Sequence, residues 1–278
     1  MRKLIILLIV VLLVITSCSS ELVIEEPSNP SDINTYNETI ENDYVIIDGS
    51  KYAIEETMKE KFYYLEDSEQ LEKKTYETDA KGISFDYVER YIYEDNVVVE
   101  EIFSDLKGEK ISETYYTYDN QQRVIQSRAV LQAGDNEIIK EYSYGENTKT
   151  LLQYLPDGEL LRKVITYYDE DNRIIKTESY NQAGNITSLT EKKYENDYVM
   201  RDVTKENNRI TAKRYEEKNN MGHVIKFASI IYLDENDPST MFYLVDNTYD
   251  DNMRLIEKTQ YKVMNQIDAE ILEENYFK

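Results

Sequence analysis

The sequence has little of several residue types, and each shortage narrows the kinds of protein it can encode. Its 278 residues include one cysteine, one histidine, four prolines and eight glycines, and no tryptophan. A single cysteine excludes an internal disulfide framework. The scarcity of proline argues against a linker-rich or disordered chain, and a lone His223 excludes a zinc site built from paired histidines.

Motifs for catalysis are also missing from the sequence. It contains no glycine-rich phosphate loop and no nucleophile elbow. With 55 acidic residues, neighbouring carboxylates arise from abundance alone and do not identify a glycosidase site. The acidic turns around Asp169 and Asp250 lack the ligand spacing of a calcium loop. We therefore predict no enzymatic activity, no cofactor and no metal.

Positive charge is scarce relative to negative charge. The chain has 32 Lys and Arg against 55 Asp and Glu, which gives a formal net charge of −23. This balance opposes binding to nucleic acid and to anionic lipid headgroups. Two roles for the acidic surface stay open: it keeps an extended sheet soluble, or it attracts a cationic partner.

The N-terminus carries a long hydrophobic run. Arg2 and Lys3 precede Leu4–Ile15, twelve aliphatic residues in succession, which is too short to span a bilayer and typical of the core of a signal peptide. The run leads into Ile15-Thr16-Ser17-Cys18, which resembles a bacterial lipobox. The resemblance implies cleavage before Cys18, acylation of its thiol, and anchoring at the cell membrane or outer membrane, outside the cytoplasm.

Three segments are predicted from these features. Residues 1–17 form a lipoprotein signal peptide. Residues 18–43 form a flexible tether, because they are rich in Ser, Glu, Asn and Pro and have no apolar periodicity. Residues 44–278 form one β-hairpin repeat domain with a period of about 25 residues.

Two landmarks of this repeat alternate along the chain. Tyrosines followed by an acidic residue or glycine alternate with glycines in turn-like contexts at Gly82, Gly108, Gly134, Gly158 and Gly184. Glycine supplies the positive φ of a tight turn, and the short segments between turns are rich in Tyr, Ile, Val and Thr. We predict an all-β fold: an antiparallel meander of repeated β-hairpins forming a twisted, curling sheet. Residues 52–63 fit a helix or a strand, and we favour strand.

The Tyr-Asp copies also predict a register. If residues 119–122 form a four-residue loop, then Tyr118 lies opposite Arg123 and Glu113 lies opposite Arg128. Opposite charges that face each other across an antiparallel ladder are mildly stabilising. The charge-poor face, which carries most of the paired tyrosines, is expected to turn inward.

These copies resemble the YD repeat of the RHS type, whose units run Tyr-x-Tyr-Asp-x-x-Gly-Arg followed by an aliphatic residue. The clearest copy spans residues 116–123, and others span 168–173 and 249–254. The position that usually holds glycine in that family is occupied here by Gln122, Asn172 and Met253. The chain is also similar to small bacterial lipoproteins made of MORN-like hairpin repeats, some of which are labelled antitoxin-like. Neither resemblance brings catalytic residues with it.

Tyrosines two residues apart share one face of a strand. They define a candidate binding face of six residues: Tyr91, Tyr93, Tyr116, Tyr118, Tyr142 and Tyr144. Repeated aromatic rings on a sheet bind sugars or peptides, and the same rings also serve as the core of a repeat. Both roles stay open at this point.

The leading hypothesis is a non-catalytic, membrane-anchored surface lipoprotein that acts as a binding or structural scaffold for a protein or a glycan. The alternative is an immunity or antitoxin-like lipoprotein that neutralises a cationic toxin through charge complementarity. In both cases Cys18 carries the membrane anchor and nucleic acid is not a partner.

Overall fold

The computed structural model describes residues 38–277, apart from positions 42, 48, 67, 81–82, 133–135 and 233–237. The predicted signal peptide, Cys18, Gly82 and Gly134 therefore lie outside the described residues. Within the described part, no helix combines the length and the apolar character of a bilayer-spanning segment.

The described residues form nineteen strands and one helix. The strands are β1 (Thr39–Glu41), β2 (Tyr44–Ile47), β3 (Ser50–Ala53), β4 (Glu56–Tyr64), β5 (Leu71–Ala80), β6 (Ile83–Glu94), β7 (Val97–Asp105), β8 (Lys110–Tyr118), β9 (Val124–Leu131), β10 (Asn136–Tyr144), β11 (Thr148–Tyr154), β12 (Leu160–Tyr168), β13 (Ile174–Tyr180), β14 (Ile186–Tyr194), β15 (Val199–Glu206), β16 (Arg209–Lys218), β17 (Val224–Ile231), β18 (Ser239–Tyr249) and β19 (Leu255–Met264), and the helix is α1 (Ala269–Tyr276). The predicted all-β class is confirmed, and residues 52–63 lie mainly in strands as favoured.

Strands β4–β19 form a closed antiparallel barrel of sixteen strands, in which neighbours follow chain order. The barrel closes where β19 pairs with β4, with Gln260 opposite Met58 and Lys262 opposite Glu56. The prediction of a twisted, curling sheet is therefore wrong, because the sheet closes into a barrel. Twist and coiling accumulate over sixteen strands until the first and last meet, and closure removes two edges that would otherwise stay unpaired.

The hairpin turns at the Tyr-Asp copies share one geometry. The backbone N–H of Asp119 donates to the carbonyl of Arg123 at 2.9 Å, and the N–H of Gln122 donates to the carbonyl of Asp119 at 3.1 Å. Gln122 has a φ of +58°, so this is a type I turn followed by a left-handed residue. The same left-handed position is held by Asn172, Gly222 and Met253 in other copies. The positive φ explains why the RHS-type motif usually has glycine there.

This turn changes the predicted register. Tyr118 lies opposite Val124, and a bulge follows, so that Arg128 faces Tyr115 and not Glu113. The predicted pairing of Glu113 with Arg128 is therefore wrong by two residues. The left-handed turn residue and the bulge add residues to the connection, and the prediction from a four-residue loop does not include them. A shift of two residues keeps every side chain on the same face of the strand.

Replacing Met253 with glycine is expected to stabilise the protein. Met253 is 56 % exposed and holds its φ at +63°, a conformation that costs an ordinary L-residue about 1–2 kcal/mol. Because glycine is also freer in the unfolded chain, we expect a net rise of about 0.5–1 kcal/mol in the free energy of unfolding, measured by urea denaturation. Asn172→Gly is the matched control and should gain less, since asparagine tolerates this conformation. A destabilised Met253→Gly would contradict the assigned turn.

The two faces of the barrel wall differ in burial. Alternation along β6, β7 and β8 places Glu89, Glu101 and Tyr116 on one face and Ile92 and Tyr115 on the other. Glu89 is 7 % exposed, whereas Ile92 and Tyr115 are 42 % and 39 % exposed. The face that carries the paired tyrosines and these acids therefore lines the interior of the barrel.

A second layer covers part of the outer face of the wall. A row of apolar residues crosses β16–β19 on that face, with each residue opposite the next: Tyr215, Ala228, Phe242 and Val263. Val45 and Ile47 of the small sheet β1–β3, together with Leu272 and Tyr276 of α1, complete one buried cluster with this row. This apolar core thus lies between the outside of the wall and the layer that covers it.

The two ends of the described chain meet at this layer. The hydroxyl of Tyr276 donates to Glu38 Oε1 at 2.6 Å, and Lys226 Nζ lies 2.7 Å from Glu38 Oε2 and 3.0 Å from Glu217 Oε2. The Glu38 side chain is 4 % exposed. Glu38 and β1 lie in the segment predicted as tether, and the Glu38 side chain contacts Lys226 of the barrel and Tyr276 of α1.

Candidate functional site in the barrel interior

The six tyrosines of the candidate binding face lie on the interior face of β6, β8 and β10. Several of them belong to a set at one end of the barrel that we call the tyrosine rim: Tyr64, Tyr93, Tyr118, Tyr144 and Tyr194. Their hydroxyls donate to backbone carbonyls of an adjacent hairpin, namely those of Leu255, Leu71, Val98, Val124 and Ile174. The bond from Tyr64 to Leu255 is 2.9 Å long and crosses the seam where β4 meets β19.

The Asp and Arg of each repeat brace the same end of the barrel. The Asp119 carboxylate accepts from the backbone N–H of Gln121 and of Arg123, both at 2.9 Å, and from Arg123 Nε at 2.8 Å. The backbone N–H and the guanidinium of Arg123 hold the pKa of Asp119 below its usual range. The guanidinium also lies 4.5 Å from the ring centre of Tyr144 in the next hairpin. The repeat motif therefore ties each turn to its neighbour.

The turns at Asp169 and Asp250 repeat this arrangement. Arg173 Nε lies 2.9 Å from Asp169 Oδ2, and Arg254 Nε lies 2.8 Å from Asp250 Oδ2. The Arg254 guanidinium lies over the ring of Tyr64 at 4.8 Å, so the closing seam uses the same contact as the rest of the rim. The Asp169 and Asp250 carboxylates of the acidic turns are thus paired with arginine side chains.

A cluster of carboxyl and phenol groups lies on the interior face of β5–β8. We call it the interior acid cluster, and its members are Tyr76, Glu89, Tyr91, Glu101 and Tyr116. Tyr76 donates to Glu89 Oε2 at 2.6 Å, and Tyr116 donates to Glu101 Oε2 at 2.7 Å. Lys74 Nζ lies 3.5 Å from Glu89 Oε2. The two carboxyl groups come from neighbouring strands and share one face, because Glu101 lies opposite Tyr91 and Glu89 lies two residues before Tyr91.

The two carboxyl groups of this cluster differ in protonation. Burial raises the pKa of Glu101 to about 8, and the hydrogen bond with ionised Glu89 acts in the same direction. Burial also disfavours the ionised form of Glu89, but the hydrogen bond from Glu101 and the charge of Lys74 outweigh it and lower the pKa of Glu89 to about 2. The two shifts have opposite directions, so the pair as a unit holds one proton at neutral pH.

The surrounding phenols stay neutral. Burial and the nearby carboxylates raise the pKa of Tyr76, Tyr91 and Tyr116 far above the usual value for tyrosine. A carboxyl pair that shares one proton titrates as a unit. The arrangement can therefore hold one proton at neutral pH and release it in mildly alkaline solution.

Another interior carboxyl group, outside the interior acid cluster, lies on β15. Asp202 is 3 % exposed, and its oxygens are 4.0 Å from Lys192 Nζ and 3.9 Å from Arg214 Nη1. Burial raises the pKa of Asp202. Among the described residues, its Oδ1 atom has no hydrogen-bond partner.

His223 precedes β17 at the end of a turn. Its Nδ1 atom lies 2.8 Å from the hydroxyl of Tyr249, and burial lowers the pKa of His223 below its usual value. Histidine therefore takes the place of the Arg of other repeats and contacts a tyrosine of the neighbouring hairpin.

Glu89 and Glu101 were not candidates from the sequence. The sequence did contain one signal. Glu89 lies two residues from Tyr87 and two from Tyr91, so it occupies a position on the same face of the strand as these tyrosines. With 55 acidic residues in the chain, that signal is visible only once the interior face is known.

No family model matches the chain, and no curated protein matches it. Solved structures with some similarity include a porin-like protein from Bacteroides uniformis, with a TM-score of 0.38 and 10 % identity over 76 % of this chain and 98 % of that chain. The Tc holotoxin pore of Photorhabdus luminescens has a TM-score of 0.30 at 10 % identity, over 74 % of this chain and 15 % of that chain. A TcdB2-TccC3-Cdc42 structure has a TM-score of 0.27 at 10 % identity, over 75 % of this chain and 14 % of that chain. These scores are too low to support an argument about function.

Proposed function

We propose that the chain is a non-catalytic, lipid-anchored lipoprotein outside the cytoplasm, whose closed barrel is a binding or structural scaffold for a protein or a glycan. The observation that carries this proposal is the set of contacts made by the residues of the repeat motif. The Tyr hydroxyls of the repeats bond to neighbouring hairpins of the barrel itself, and the Asp and Arg bond to each other within each turn. The repeated polar groups thus build the wall and do not converge on a substrate.

The outward face of the wall favours attachment through an anchor over insertion into a bilayer. Ion pairs lie on that face at several places around the barrel, including Lys61 with Glu77, Arg128 with Glu137 and Lys205 with Glu191. A charged residue on the lipid-facing side of a membrane barrel costs about 2–4 kcal/mol at the bilayer midplane. Membrane contact is therefore assigned to the acylated thiol of Cys18.

A candidate surface for the partner crosses the outward face of β6–β11. We call it the outer row: Ile92, Glu100, Tyr115, Arg128, Ile139 and Tyr154, each opposite the next. Six strands at a spacing of about 4.8 Å give this row a span of about 24 Å. Ile92 and Tyr115 are exposed and Ile139 and Tyr154 are partly exposed. Such apolar side chains beside charged ones suit a protein surface or the apolar faces of sugar rings.

Tyr115→Ala is expected to weaken partner binding several-fold without changing the fold, because Tyr115 is 39 % exposed and exposed positions usually contribute little to stability. Binding of the mature chain would be measured on an array of purified glycans and on a set of purified surface proteins. Tyr167→Ala, a tyrosine on the same outward face but outside the row, is the matched control and should bind as the unmodified protein does.

Fractionation of host cells tests the anchor. In the bacterial host, the full chain should be found in the membrane fraction, and Cys18→Ser should release it. Membrane retention of Cys18→Ser, or equal binding by Tyr115→Ala and the unmodified chain, would contradict the corresponding part of the proposal.

A further inference from the structure

We propose that the interior acid cluster is a pH-responsive latch in the barrel wall. One proton shared by Glu89 and Glu101 joins β6 to β7, and its loss in alkaline solution loosens the wall from β5 to β8. The latch depends on the barrel interior alone, so it stands whether or not Cys18 is acylated.

The first support is the path of the hydrogen bonds across the wall. Tyr76 on β5 donates to Glu89 on β6 at 2.6 Å, and Tyr116 on β8 donates to Glu101 on β7 at 2.7 Å. Glu89 and Glu101 are diagonal neighbours on β6 and β7, and the proposed shared proton is the middle link between them. Four strands are thus joined by side chains, and the middle link exists only while one carboxyl group is protonated.

The second support is the balance of charge around the pair. The groups that face it are Lys74 and Tyr76 from β5, Tyr91 from β6 and Tyr116 from β8, with Glu60 and Tyr142 further along the interior. Glu60 has its own partner, since Lys258 Nζ lies 2.8 Å from its Oε1. Lys74 therefore balances one carboxylate, and two ionised carboxylates side by side in this buried site would repel each other.

The pH range of the latch follows from the two carboxyl groups. The pKa of Glu101 is raised from 4.5 to about 8, so the stability it contributes is complete below pH 4.5 and is lost as the pH rises to 8. The pKa of Glu89 is lowered to about 2, so its contribution is present above pH 4.5 and is lost as the pH falls toward 2. Between pH 4.5 and 8, the unfolding equilibrium constant should change by up to tenfold per pH unit because of Glu101.

Infrared spectroscopy of the mature chain tests the shared proton directly. A carbonyl band of a protonated carboxyl group should be present at pH 7, disappear on titration through about pH 8, and be absent at pH 7 in Glu101→Gln. Glu60→Gln removes an interior carboxyl group that is paired with Lys258 and should leave the band unchanged. Absence of the band from the unmodified protein at pH 7 would overturn the proposal.

Hydrogen exchange tests the loosening of the wall. After correction for the intrinsic effect of pH, amides of β5–β8 should exchange at least several-fold faster at pH 9 than at pH 7, while those of β16–β19 should not. Glu101→Gln should abolish the acceleration, because glutamine cannot ionise and its amide still donates to Glu89. Glu89→Gln provides a second variant if Glu101→Gln folds poorly, and it should abolish the acceleration too. Equal acceleration in the unmodified protein and the variant that folds would overturn the latch.

Discussion

Phe242→Ala is expected to lower the free energy of unfolding by about 3–5 kcal/mol. Phe242 is 0 % exposed and lies in the apolar row on the outside of the wall, with its ring 5.7 Å from that of Tyr276 in α1. Removing the ring leaves a cavity between the barrel and the covering layer, because two rigid elements on either side limit how far the site can collapse. Urea denaturation, with the midpoint and slope fitted together, measures the loss.

Ile92→Ala is the matched control for this prediction, since Ile92 lies on the same outward face but is 42 % exposed. Its loss should stay below about 1 kcal/mol. In addition, Leu272→Ala in α1 should couple to Phe242→Ala, because both side chains belong to one buried cluster and neighbouring core deletions are not additive. Equal losses in Phe242→Ala and Ile92→Ala would show that the covering layer does not pack on this part of the wall.

Lys226→Met is expected to destabilise the protein by about 3–5 kcal/mol at neutral pH. Lys226 lies between Glu38 at 2.7 Å and Glu217 at 3.0 Å, and these three side chains are largely withdrawn from water. Without the ammonium group, two carboxylates remain close together with no cation between them. Urea denaturation at neutral pH measures the loss.

Lys205→Met is the matched control for the loss of a lysine. Lys205 Nζ lies 2.7 Å from Glu191, but both side chains are well exposed, and such pairs contribute about 0–1 kcal/mol. A small effect in both variants would mean that Glu38 does not anchor the start of the folded body. A large effect in Lys226→Met alone would show that the folded body begins before residue 44.

The local features of the repeat could be predicted because they depend on neighbouring residues. The turn sites follow from Tyr-Asp and from glycine contexts, and the strands follow from alternation between turns. The inward orientation of the paired tyrosines follows from the same alternation. The exact register could not be predicted in this way. It depends on the left-handed conformation of Gln122 and on the bulge beside it, and a glutamine side chain indicates neither.

The covering layer was harder to foresee for a different reason. Helix α1 is short, and its buried residues Leu272 and Tyr276 are one turn apart, a pattern that also fits the end of a repeat. Glu38 lies in a polar, charged segment, and its burial depends on Lys226 and Tyr276, which are distant in the chain. Contacts with residues so far away in the chain do not produce a periodic pattern in the segment around Glu38.

By itself, the sequence determined the all-β class, the hairpin repeat and the face on which the paired tyrosines lie, because each of these depends on turn chemistry and on alternation within a few residues. Only the tertiary structure decided that sixteen strands close into a barrel, since closure rests on the pairing of β4 with β19. It also decided that Glu89 and Glu101 share a buried face with one lysine, so that their pKa values shift in opposite directions, because burial and nearby charges from neighbouring strands set those shifts.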